Sequence, residues 1–183
     1  MRAPGLINWL GAELCPDRLH IVDVGANPLG APPYQALVEA GFAHVWGFEP
    51  NPDACARLRA EAGANVTVLD KAVGQPGEAV FNAYPASEMS SVFKLSHDSL
   101  GYIGHFKRHL GTEIELPMTL HALDGLDEIA QIDLLKIDAQ GAERDVILGA
   151  DDKLAQAVAV VAEMRFYPLH PAGPPPPPPR PPP

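Results

Sequence analysis

The chain has 183 residues, and its last sixteen, 168–183, hold eleven of its twenty-one prolines, which leaves residues 1–167 as the part able to fold as one domain. A chain of that size buries about 68–70% of the surface its unfolded form exposes, so it needs neither a disulfide nor a metal staple. It has 46% hydrophobic and 20% charged residues, and 23 acids against 13 bases give a net charge of −10, which disfavours a general nucleic-acid binder, because phosphate attraction needs a basic face.

Cys15 and Cys55 form no C-x-x-C pair and no set with metal-site spacing, so no metal site is expected and a reducing compartment is. No stretch approaches the roughly twenty apolar residues that cross a bilayer, and the first fifteen residues lack the blocks of a secretory signal. The expectation is a cytoplasmic protein without a membrane partner.

Short apolar, β-branched runs alternate with helix-compatible stretches, the pattern of a parallel sheet with crossover helices. In chain order the spacing predicts strands over His20–Val24, Val45–Glu49, Val66–Leu69, Ile132–Asp138 and Ala157–Glu163. Helices are predicted over Tyr34–Ala40, Pro52–Ala62 and Ala142–Gly149. Pro52 suits a first helical turn, where a missing N–H costs nothing. Residues 74–122 are less regular, with further strands expected near Ala79–Tyr84 and Glu113–His121 around a polar segment, a candidate insertion or lid. From Pro174 the chain is nine prolines and Arg180, expected to be disordered or an extended polyproline II segment able to dock on an SH3-like or profilin-like partner.

Asp23, Glu49, Asp70, Asp138 and Glu163 each stand at or just past the C-terminal end of a predicted strand. In an open parallel sheet the ligand crevice lies outside those ends, so the acids are expected to share one rim. After the first strand, Asp23-Val24-Gly25-Ala26-Asn27-Pro28-Leu29-Gly30 imitates a dinucleotide-binding turn in which Asn27 stands in place of the second glycine. A side chain there obstructs a pyrophosphate, and Pro28 removes an N–H that could bind one. This disfavours a nicotinamide-dependent oxidoreductase and suits a ligand without phosphates that brings a cationic group near Asp23. Glu49, in Gly47-Phe48-Glu49-Pro50-Asn51-Pro52, can accept both hydroxyl hydrogens of a ribose, or can cap the helix that follows. Lys136 and Asp138 share a face by strand alternation; Lys136 is read as neutralising a neighbouring carboxylate and Asp138 as the functional acid.

With the glycine turn, the Phe48-Glu49-Pro50-Asn51 acid and the segment Leu134-Leu135-Lys136-Ile137-Asp138-Ala139-Gln140-Gly141-Ala142-Glu143 in view, the chain resembles the FkbM family of S-adenosylmethionine-dependent methyltransferases from about His20 to Tyr167. The resemblance implies a Rossmann-like α/β class I methyltransferase fold, a three-layer sandwich with a mostly parallel sheet. It implies methylation of a hydroxyl on a sugar, polyketide or similar small molecule. It also implies a cofactor site from Asp23, Gly25, Ala26 and Asn27 at the methionine end, Glu49 and Pro50 at the ribose, and Asp70 to Ala72 beside the adenine. Asp138 matches the acid next to the transferred methyl, with His105 of the irregular segment as a further catalytic candidate beside His97 and His109. Ser90 and Ser91 match a serine pair assigned to the substrate side. Family members continue beyond the fifth strand with a helix and two more strands, whereas here the proline tail follows, so the sheet is expected to lack them. A truncated, catalytically inactive remnant that binds a cofactor or partner is the alternative reading.

Overall fold

The computed structural model describes residues 17–26, 31–85, 89–96, 100 and 111–163. Eight strands occur among them: β1 (Leu19–Val24), β2 (Ala43–Phe48), β3 (Val66–Leu69), β4 (Ala72–Val73), β5 (Gly77–Ala83), β6 (Ile114–His121), β7 (Leu134–Ile137) and β8 (Ala159–Ala162). The helices are α1 (Gln35–Glu39), α2 (Pro52–Glu61), α3 (Glu143–Leu148) and α4 (Asp151–Leu154).

Five strands form one sheet in the order β3-β2-β1-β7-β8, every neighbouring pair parallel. Chain order runs outward from β1 to β3 and then resumes at β7 on the other side of β1. The direction of winding therefore reverses between β1 and β7, and in open α/β sheets ligands bind outside the C-terminal strand ends at such a reversal. The strands read as apolar runs because both faces are covered. On one face Ile21, Ala43 and Val45 pack with Tyr34 and, from α1, Leu37 and Val38. On the other, Val22, Val24, Phe48, Leu135 and Ile137 pack with Leu123, Leu126, Ile129 and Val146. Layers on both sides of a mostly parallel sheet make the Rossmann-like architecture that the alternation of strand and helix signals anticipates.

α2 starts where its chemistry says it should. The Asn51 side chain accepts hydrogen bonds from the Asp53 and Ala54 N–H groups at 3.0 and 3.1 Å, and Pro52 occupies the first helical position. A cap of this kind is worth about 1 kcal/mol.

The irregular segment is a second, smaller sheet in the order β4-β6-β5, with β4 parallel and β5 antiparallel to β6. Ser91 extends it through an antiparallel bridge to Asn82. The short β4 and α4 escape a reading based on periodicity, since two and four residues carry no period. The strand expected to open at Ile132 opens at Leu134 instead, and the Asp133 side chain just before it accepts the His20 N–H at 2.6 Å. Asn27, the histidines at 97, 105 and 109, and the proline tail lie outside the described residues.

Candidate functional site

Asp23 is 1% exposed at the end of β1. A lone buried carboxylate is costly, and this one is paired twice. Lys136, its register partner on β7, donates from Nζ to Oδ1 at 2.8 Å, and the Tyr34 hydroxyl donates to Oδ2. Burial pushes the Asp23 carboxyl above the ordinary aspartate value, Lys136 and Tyr34 pull it back, and nearby Asp138 adds to the rise. Burial and the Asp23 charge hold the Tyr34 hydroxyl protonated far above the usual tyrosine range. Both Asp23 oxygens are thus engaged inside the protein, so this acid ties β1, β7 and the start of α1 together beneath the rim.

The turn after β1 is shaped by two contacts. Gly25 has φ +80°, and a Cβ there would sit 2.1 Å from the Asp138 carbonyl oxygen. The N–H groups of Gly25 and Ala26, which a pyrophosphate would require, both donate to the Phe48 carbonyl, at 3.1 and 3.0 Å. The turn is folded back onto β2, and the missing Gly25 side chain makes room for the Asp138 main chain.

Glu49, just past β2, is 6% exposed. Its Oε1 accepts the Asn51 N–H at 2.8 Å, while Oε2 makes no hydrogen bond among the described residues. Burial raises its pKa above the ordinary glutamate value, against the lowering effects of the Asn51 N–H and Arg57. Glu49 is not the cap of α2, because Asn51 holds that position. It braces the capping residue through the Asn51 N–H.

Asp138 follows β7, its N–H donating to the Val24 carbonyl at 2.9 Å. Its Oδ1 accepts the Gln140 side-chain amide at 2.7 Å. The described part of the rim between β2, β1 and β7 therefore brings together Glu49, Gly25, Ala26 and Asp138, with Pro50 following Glu49. Asp70 stands beyond β3, exposed, with Arg59 at 3.1 Å; its own main-chain N–H first and the Arg59 guanidinium second hold its carboxyl below the ordinary value. Ala72 is buried in β4. Ser90 and Ser91 are both buried. The Ser90 hydroxyl accepts the Tyr84 N–H at 3.0 Å, and the Ser91 hydroxyl accepts the Phe93 N–H at 3.0 Å while donating to the Gln140 carbonyl at 2.8 Å.

Sequence reasoning passed over Tyr34 and Gln140. Tyr34 could have been sought from the need of a buried Asp23 for a second donor, since it stands eleven positions on at the head of a helix. Gln140 gives no such signal, because its left-handed φ of 52° is a property of the fold.

Among the described residues no group of histidines, cysteines and acids could hold a metal ion, and no helix is long and apolar enough to cross a membrane.

A parallel sheet with a winding reversal, a glycine turn over β1 and an acid past β2 define the nucleotide-cofactor class of α/β enzymes. Residues 23–172 match the methyltransferase FkbM domain, and the chain belongs to that family of methyltransferases, which generally use S-adenosylmethionine. The chain is also similar to the AMB antimetabolite synthetase AmbE of Pseudomonas aeruginosa, 31% identical over 84% of this chain, and spans only 9% of that protein's length. No solved structure matches it.

Proposed function

We propose that this chain binds S-adenosylmethionine on the rim above β1, β2 and β7 and transfers its methyl group to a hydroxyl of a small metabolite. The observation that carries the reading is the placement of Glu49 and Asp138 on either side of the Gly25 turn, each with a carboxylate oxygen that no group among the described residues uses. The residues fit the cofactor: a buried carboxylate with an open oxygen past β2 suits two ribose hydroxyls, and the turn admits a ligand that brings no phosphate. When bound, the cofactor supplies a methyl group on a positively charged sulfur.

The chain's own residues then have two tasks. Glu49 holds the ribose, and the Gly25-Ala26 turn sets the depth at which the ligand lies. Asp138 would accept the proton of the acceptor hydroxyl as that oxygen takes up the methyl group that the bound cofactor would supply. In-line displacement of this kind gains most from alignment and from a positioned proton acceptor. Likeness to part of an antimetabolite synthetase supports a small-metabolite acceptor over a macromolecule, as does the net charge of −10. Calorimetric titration with S-adenosylmethionine, followed by mass spectrometry of hydroxylated metabolites incubated with both, tests the proposal; wild type that takes up no cofactor at millimolar concentration would remove it.

A second reading, a partner-binding module, draws on β8. Val158, Val160 and Val161 are 83%, 47% and 44% exposed at the sheet edge, and an open apolar edge invites pairing with another strand. Gel filtration showing a monomer across a range of concentrations would count against it.

A further inference from the structure

Gln140 carries two separate penalties. It is the sole non-glycine residue with positive φ among the described residues, a conformation that crowds the Cβ of an L-residue. It is also 9% exposed, and its Oε1 is buried with no hydrogen-bond partner. Strain of this sort survives only where the surroundings over-determine it, and it gathers at functional sites.

Those surroundings are specific. The Gln140 Nε2 donates to Asp138 Oδ1 at 2.7 Å and to Glu163 Oε2 at 3.4 Å. Turning the amide over would set Oε1 against two carboxylate oxygens, none of which can donate when ionised. The two acids therefore fix the amide, and the unpartnered Oε1 follows from that choice. From below, the Ser91 hydroxyl holds the Gln140 carbonyl at 2.8 Å. Ser91 is pinned in turn to Asn82 by paired main-chain bonds of 2.8 and 3.2 Å and by the Asn82 side-chain amide at 3.1 Å. A line of hydrogen bonds thus runs from the smaller sheet to the rim acid.

We propose that Gln140 is a positioning residue for Asp138, and that Ser91 is the peg that holds Gln140 in its left-handed conformation. The amide occupies Oδ1 and so presents Oδ2, which makes no hydrogen bond among the described residues, to the acceptor hydroxyl. This inference rests on the role given to Asp138 above. It assigns Ser91 to the support of the acid and not to contact with substrate, and it gives the smaller sheet a part in catalysis.

The test is nuclear magnetic resonance of the side-chain amide of Gln140 in the 15N-labelled full chain, assigned by its disappearance in Gln140→Glu. In wild type the two amide protons are expected to lie away from the positions of a free glutamine amide and to exchange slowly. Asp138→Ala and Ser91→Ala should each shift them toward the position of a free glutamine amide and speed their exchange by about tenfold or more, and Ser91→Thr, which keeps the hydroxyl, should restore the wild-type signals. An amide unchanged in Asp138→Ala would overturn the proposal. Should Ser91→Ala fail to fold, the Asp138→Ala result decides alone. In parallel, Gln140→Ala should bind S-adenosylmethionine within about threefold of wild type, a difference of less than about 1 kcal/mol; a variant that folds yet loses the cofactor would make Gln140 a cofactor contact and refute positioning. A wild type that binds no cofactor would instead sink the enzymatic reading, whatever the amide signals show.

Discussion

The carbonyl oxygen of Asp138 occupies the space that a side chain at position 25 would need, at 2.1 Å from the place of a Gly25 Cβ. The two parallel strands that flank the winding reversal are locked together at their C-terminal ends by this contact and by the Asp138 N–H to the Val24 carbonyl. Gly25→Ala must meet both the clash and the cost of φ +80° for an L-residue. A destabilisation of about 2–4 kcal/mol is expected in urea unfolding, together with loss of cofactor affinity, since the rim moves with the turn.

Lys136 and Asp23 form a charged pair whose carboxylate is 2% and whose amine side chain is 16% exposed. Removing one partner strands the other, so Lys136→Met should cost about 3–5 kcal/mol. Replacing both, with Asp23→Asn beside Lys136→Met, leaves no unpaired charge and should cost less than the single change. Denaturant unfolding of the three proteins gives the comparison.

Glu49→Ala should weaken S-adenosylmethionine binding by more than about tenfold, or about 1.4 kcal/mol, as read by calorimetry. Because burial lifts Glu49 above the ordinary value of 4.5 and the ribose needs the ionised form, affinity should decline on acidification at a higher pH than an exposed glutamate would give. Glu49→Gln should abolish that dependence. The effect on folding has the opposite sign: a raised native pKa means that the folded chain binds the proton more tightly than the unfolded one. The cost of an ionised Glu49 is therefore present above its raised value and vanishes as the pH falls below 4.5.

Asp70 and Arg59 are 65% and 48% exposed, and a surface pair of that kind contributes between about 0 and 1 kcal/mol. Asp70→Ala should leave thermal stability within that range. A fall in cofactor affinity in the same variant would then report contact with the adenine and not damage to the fold.

The fold was legible because a sheet buried on both faces needs apolar runs of strand length between helix-length stretches, and Ile21–Val24, Val45–Phe48 and Leu134–Ile137 have no other plausible use. The acids at the strand ends could be aligned for the same reason. What they do could not be read so directly. Asp23 and Glu49 look alike on paper, each a carboxylate closing an apolar run, yet the first is held at both oxygens by Lys136 and Tyr34 while the second is held at one among the described residues. That difference lies in contacts between elements separated by up to 113 positions, which no local spacing encodes. Gln140 was hidden for a related reason, because its strain arises only when Ser91, 49 positions away, takes hold of its carbonyl.

The central claim is that one rim of the sheet holds an adenosine-bearing sulfonium. Titration of the wild-type chain with S-adenosylmethionine, alongside Glu49→Ala, measures it directly. Saturable binding at one site per chain is expected in wild type, weakened by more than about tenfold in the variant. Equal affinities in the two proteins, or no heat of binding in wild type at millimolar cofactor, would contradict it.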